Sequence, residues 1–126
     1  MAQAVGPIDC LADTSTLIKI WRGDEALKTA IARRNCGIET VASLEFLQGV
    51  NKRQKERADE FIEQFQFIPF TPAISYRAMD LIRAFSHLKG LRMADALIAS
   101  TALELNVTLL TFNTKHFDFI KGIKLI

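Results

Sequence analysis

The sequence has few of the devices that brace small domains. Two cysteines in 126 residues, Cys10 and Cys36, cannot make a disulfide framework or a cysteine-based zinc site. Both stand in apolar stretches, where free thiols behave as small buried hydrophobes. Two histidines, His87 and His116, lack the spaced partners of a zinc site. Three prolines and six glycines are scattered singly, which excludes a linker or a low-complexity tract. No run approaches the roughly 18 apolar residues of a membrane span. The opening MAQAVGPIDCLAD has no basic segment before its apolar run and carries Asp9, unlike a secretory leader. One-sided charge is also missing. Sixteen Lys and Arg face fourteen Asp and Glu, a formal net charge of +2. That excludes a strongly basic nucleic-acid coat and an acidic disordered tail, yet leaves room for an enzyme whose charge is sorted over its surface. The expectation is one domain over residues 1–126, soluble and cytoplasmic, with 49% hydrophobic residues to fill its core.

What is present alternates between strand and helix patterns. IDCLA at 8–12 reads as a strand cut by DTST, good helix-capping sequence. TSTLIKIW predicts a short helix closed by Gly23, and DEALKTAIARR a second, with acids early and arginines late to suit the dipole. Gly37 then releases a second strand, IETVA at 38–42. Ser43 is read as the cap of a long helix running through NKRQKERADEFIEQF, whose nearly cancelling charges suit a solvated face. FQFIPF predicts a third strand and Ser75–Leu88 a helix stopped by Gly90. In the helix Met93–Leu105, Ala94, Leu97, Ile98, Thr101, Ala102 and Leu105 recur at steps of three and four, which predicts one buried stripe. VTLLTF is a fourth strand and the terminal GIKLI a fifth candidate. Such alternation implies parallel β-α-β units: a three-layer α/β/α sandwich around a mostly parallel sheet of four to five strands. Sites in such sheets lie beyond the carboxyl ends of strands, where strand order reverses.

Four polar residues fall at those ends. Asp13 follows the first strand, as a helix cap or as a metal ligand. Asp95 stands in the first turn of the 93–105 helix, where the dipole stabilises a carboxylate in any case. Glu45 lies among Leu44, Phe46 and Leu47, reaching solvent, an arginine or a site. Asn113 follows the fourth strand, in a turn-forming position or at a site. If the first and fourth strands are neighbours, all four converge. Three carboxylates in one pocket repel unless a cation joins them, and oxygen ligands suit Mg²⁺ or Mn²⁺. No G-x-S-x-G elbow and no glycine-rich phosphate loop offers another chemistry.

On these residues the sequence resembles the PIN-domain ribonucleases, and among them the VapC-type toxins of bacterial toxin–antitoxin pairs. LADTSTLI is similar to the family's opening strand with its D-T-N/S signature, and TVASLEFLQGV to its second acidic block. RMADALIASTALELNVTLLTFNTKHF is similar to its closing signature, an acid before a small-residue helix and then a strand ending in T-x-N/D. The resemblance implies a PIN-like fold with Asp13, Glu45 and Asp95 as the catalytic, metal-binding acids. Asn113 falls on a fourth catalytic position, Asp in some relatives and Asn or Ser in others; Thr14, Ser15 and Thr111 fall beside the site as supporting hydroxyls. It implies Mg²⁺, with Mn²⁺ as substitute, and hydrolysis of structured RNA such as tRNA or rRNA to a 5′-phosphate and a 3′-hydroxyl. It also implies a cognate antitoxin whose C-terminal segment blocks the pocket, and a homodimer. Two departures stand out: Asn113 is neutral and so a weak ligand, and His116 occupies a position where relatives often carry an acid. His116 is read first as a surface residue and second as a phosphate contact. Lys19, Arg22, Arg92 and the cluster Lys52, Arg53, Lys55 and Arg57 are the bases available to RNA. A receiver domain is excluded, since it needs an acidic pair after the first strand; a D-x-D-x-T phosphatase is excluded because D-T-S-T lacks the second Asp. The remaining alternative is a PIN-like scaffold that binds without cleaving.

Overall fold

Strand and helix alternate along the chain in the computed structural model, which describes residues 7–126. The first part of the segment tested above as a leader lies outside those residues. In order the elements are β1 (Cys10–Ala12), α1 (Thr14–Trp21), α2 (Glu25–Ala32), β2 (Cys36–Glu39), α3 (Thr40–Gly49) and α4 (Lys55–Glu63). They continue with β3 (Gln66–Ile68), α5 (Pro72–Lys89), α6 (Met93–Leu105) and β4 (Thr108–Leu110). The strands form one sheet in the order β3-β2-β1-β4, and every pairing is parallel. The chain steps outward from β1 to β2 to β3, then crosses back to add β4 on the far side of β1. Right-handed crossovers in opposite directions place helices on opposite faces, which makes the α/β/α sandwich.

Strand side chains alternate between two cores, as the period of two requires. Leu11, Ile68 and Leu109 pack with α5 and α6 through Ala78, Leu81, Ile98 and Ala99. Cys10, Ala12, Cys36 and Ile38 pack on the other face with Leu17, Ile20, Phe46 and Phe65 from the α1–α4 side. Trp21, Phe46 and Phe61 pack edge to face or tilted there, with centroids 5.2–5.3 Å apart. The two cysteines are partners in register on β1 and β2, both free and buried. The neighbouring Cys36 thiol holds Cys10 low, and the Cys10 thiol together with burial pushes Cys36 up.

The predicted elements are present with shifted edges. The second strand ends at Glu39 and does not run on to Ala42, because the Glu39 carboxylate caps α3, accepting N–H bonds from Val41 (3.0 Å) and Ala42. Ser43 is therefore not a cap; it lies buried inside α3 and its hydroxyl donates to the Glu39 carbonyl at 2.8 Å. Gly37 lies within β2. The long helix predicted from Ser43 is two helices, parted at Val50–Asn51, where Asn51 caps a 3-10 turn over Lys52–Gln54. Helix α5 starts earlier than predicted because Thr71 caps it and Pro72 fits the first turn. Helix α6 has the predicted bounds, but not one buried stripe: Ala96, Ile98, Ala99, Ser100, Thr101 and Ala102 are all buried. It is enclosed between α5 and the sheet, and its Ser100 hydroxyl donates to the Ile74 carbonyl of α5. The terminal GIKLI is not a full fifth strand but a short parallel edge on β4: Leu125 bridges to Leu109, the Leu109 N–H donates to the Lys124 carbonyl and the Ile126 N–H to the Leu109 carbonyl.

Candidate active site

Because β1 and β4 are neighbours, their carboxyl ends open onto one crevice, at the point where strand order reverses. Asp13 stands there, only 3% exposed. It is also the cap of α1: its Oδ1 accepts the Thr16 N–H at 3.0 Å and the Ser15 hydroxyl at 2.7 Å. Its Oδ2 accepts the Thr111 hydroxyl from the end of β4 at 2.5 Å. The junction is braced further by the Thr16 hydroxyl, which donates to the Leu110 carbonyl at 2.7 Å. A carboxylate offers about four lone-pair sites, so three donors orient Asp13 and leave capacity for one more partner.

Glu45 is carried on α3, exposed between Leu44 and Phe46, and its Oε1 accepts the Thr14 hydroxyl at 2.6 Å. Asp95 enters from the first turn of α6, partly buried. Burial pushes its carboxyl above the ordinary range, and the charges of Asp13 and Glu45 push in the same direction; His116 opposes them. Asp95 thus feels the charges of both other acids. Sequence reasoning placed His116 at the surface. It is exposed, but its Nδ1 lies 3.2 Å from Asp95 Oδ2, a pairing that no sequence spacing announces. Asn113 is exposed beyond β4, and its backbone N–H donates to the Thr111 hydroxyl at 2.9 Å. Its side chain makes no hydrogen bond among the described residues.

Glu39 was missed. It is fully buried at the end of β2, and burial is the main reason its carboxyl titrates above the usual range, with the Glu45 charge adding to it. An acid at a strand end, three residues before Ala42, is a cap pattern, hidden here by reading IETVA as one strand. It holds the start of the helix that carries Glu45.

A PIN domain signature matches residues 10–122. The chain belongs to the PIN-domain family. This PIN domain is 31% identical over 120 residues to ribonuclease VapC19 of Mycobacterium tuberculosis, covering 90% of this chain and 96% of the relative. It is 29% identical over 120 residues to ribonuclease VapC10 of the same organism, covering 90% of each. Among solved structures, a toxin–antitoxin complex from Klebsiella pneumoniae contains a chain with a TM-score of 0.79 and 27% identity, with 94% of this PIN domain and 96% of that chain covered. VapBC2 from Rickettsia felis, bound to a DNA fragment from its promoter, matches with a TM-score of 0.78 and 26% identity, covering 93% and 96%. No helix among the described residues of the PIN domain is long and apolar enough to cross a membrane.

The donor set of the PIN domain can be tested against a metal. Among the described residues, no three His, Cys, Asp or Glu side chains close into a ready-made cage. Mg²⁺ does not require one, since it keeps several waters and takes one or two carboxylates. Three carboxylates from separate elements, two of them steadied by hydroxyls and the third feeling the charge of both, are oxygen donors of the kind a hard divalent cation takes.

Proposed function

We propose that the protein is a divalent-metal-dependent endoribonuclease, the toxin of a toxin–antitoxin pair. What carries the reading is a PIN domain whose relatives are named ribonucleases, supported by the Thr14 hydroxyl that links Glu45 to the strand end beside Asp13 and by Asp95 facing His116 beyond β4. These three carboxylates would hold Mg²⁺, or Mn²⁺ in its place. When bound, the cation would neutralise negative charge developing on the phosphoryl and leaving oxygens and would orient the reactants. Water attacks in line, the P–O3′ bond breaks, and the products are a 5′-phosphate and a 3′-hydroxyl. The protein's own part is to keep its acids aimed: Ser15 and Thr111 fix Asp13, Thr14 fixes Glu45, and His116 holds Asp95. Asn113 lies at the rim, within reach of a substrate group rather than of the acids' hydrogen bonds.

The substrate we assign is structured RNA such as tRNA or rRNA. The partners are a cognate antitoxin, as in the toxin–antitoxin complexes that share this fold, and a second copy of the chain. With three acids committed to a cation, sixteen bases face eleven acids on the rest of the chain, which favours a polyanion. The opposing reading, a PIN-like scaffold without catalysis, draws on the neutral Asn113 and on the pairing of His116 with Asp95.

The test is cleavage of total RNA with Mg²⁺ or Mn²⁺, alongside thermal melting. Wild type should cleave and should gain stability from the metal, and Asp95→Asn and Glu45→Gln should lose both. Metal binding without cleavage would favour the scaffold, and indifference to both metals would defeat the nuclease reading. Growth arrest on expression, relieved by the neighbouring gene, would establish the toxin role and the antitoxin together.

A further inference from the structure

We infer that the hollow at the junction of α5 and α6 is a subsite for a backbone phosphate of nucleic acid, next to the phosphate at the acids. The inference rests on the nuclease reading for the strand's course, but not for the binding itself. The hollow is a pocket of about 120 Å³ into which three separate segments send cations. Lys89 comes from the end of α5, Arg92 from the cap of α6, and Lys115 with His116 from the 3-10 turn Thr114–His116 beyond β4. Gly90 makes the convergence possible: at φ +70° it takes the left-handed conformation that ends α5, so the chain turns at once into α6.

None of Lys89, Arg92 and Lys115 forms a salt bridge among the described residues. The one acid in the pocket wall is Asp95, which His116 already faces. The pocket beside Trp21, by contrast, has two bases and two acids in its wall, Lys28 and Arg57 with Glu25 and Glu60, whereas the hollow sets Lys89, Arg92 and Lys115 beside the single acid Asp95. The basic hollow is therefore an excess of positive charge with no internal partner. Its volume is well below the roughly 300–1,000 Å³ of pockets that enclose drug-sized ligands, so it suits a phosphate rather than a base and sugar. The first turn of α6 has no side-chain cap, and its N–H groups add to the positive field. Asp95 belongs to both the hollow and the acid cluster. A strand with one phosphate at the acids then lays the adjoining phosphate among Lys89, Arg92 and Lys115.

The experiment is fluorescence anisotropy with a labelled twelve-residue oligouridylate in EDTA, titrated at several salt concentrations. For single strands each phosphate contact contributes about 0.7 to the slope of log affinity against log salt. The double variant Lys89→Ala/Lys115→Ala should bind more weakly and lose about 0.7 from the slope, one phosphate contact. Lys28→Ala/Lys121→Ala removes the same charge elsewhere and should keep the wild-type slope. Equal slopes in the two variants, or no measurable binding by wild type, overturn the subsite. Orthophosphate at matched ionic strength should compete with the oligonucleotide for wild type and compete less for Lys89→Ala/Lys115→Ala; equal competition in both overturns the subsite. Cleavage is scored separately: wild type that cleaves no RNA but shows the slope difference defeats the nuclease reading and keeps the subsite.

Discussion

Both oxygens of Asp13 are engaged by groups of its own fold, and this decides how the site responds to substitution. The Thr111 hydroxyl is buried against Oδ2; hydrogen bonds to charged groups contribute about 1.5–3 kcal/mol. Thr111→Val should therefore cost about that much in chemical denaturation, and should lower cleavage as well, because Asp13 is freed to turn. Glu39 makes a pH-dependent prediction. Its folded carboxyl titrates above the ordinary value of 4.5, so the native state binds a proton that the unfolded chain has already released. Its stabilising contribution is complete below the ordinary value and is lost as pH rises through the raised one. Glu39→Gln cannot titrate. The melting temperature of wild type minus that of the variant should fall from pH 4 to pH 8; a difference that is flat or rises with pH would refute the assignment.

Among the elements, the junctions matter more than the strands, which are only three or four residues long. In the middle strand β2, a Cβ added at Gly37 would lie 2.8 Å from Ile8 Cδ1 and 3.2 Å from Ile68 Cγ1. Gly37→Val overpacks this face, and such insertions cost about 1–3 kcal/mol, to be read as a lowered denaturation midpoint with an unchanged m value. The start of α1 was legible because the Asp13 cap is a local signal, and α6 because apolar residues run through its whole length, although they are buried on more than one stripe. The start of α3 was not. Its cap is a buried carboxylate, a choice that depends on what surrounds Glu39 rather than on neighbouring residues. The break between α3 and α4 was equally hidden, since Gly49-Val50-Asn51 reads as a tolerable interruption in an amphipathic run.

At the scale of the molecule, a cation held by Asp13, Glu45 and Asp95, as proposed, would tie the two sides of the sheet together. Ligand at a hundred times its Kd adds about 2.7 kcal/mol to folding stability. Saturating Mg²⁺ should thus raise the melting temperature of wild type by several degrees, and Asp95→Asn should abolish the rise. A second copy of the chain is the other whole-molecule expectation: sedimentation equilibrium should return twice the 14.1 kDa of one chain.

The sequence by itself determined the order of strands and helices, the strand-end location of Asp13 and Asn113, and the presence of Asp95 in the first turn of its helix, because each follows from local propensity and spacing. The packed fold alone sets β4 against β1, brings Thr111 back to Asp13, turns His116 to Asp95, and gathers Lys89, Arg92 and Lys115 around one hollow. Those are meetings of residues far apart in the chain. They are set by the crossover from β3 and by the burial of two cores on one sheet, which no window of sequence contains.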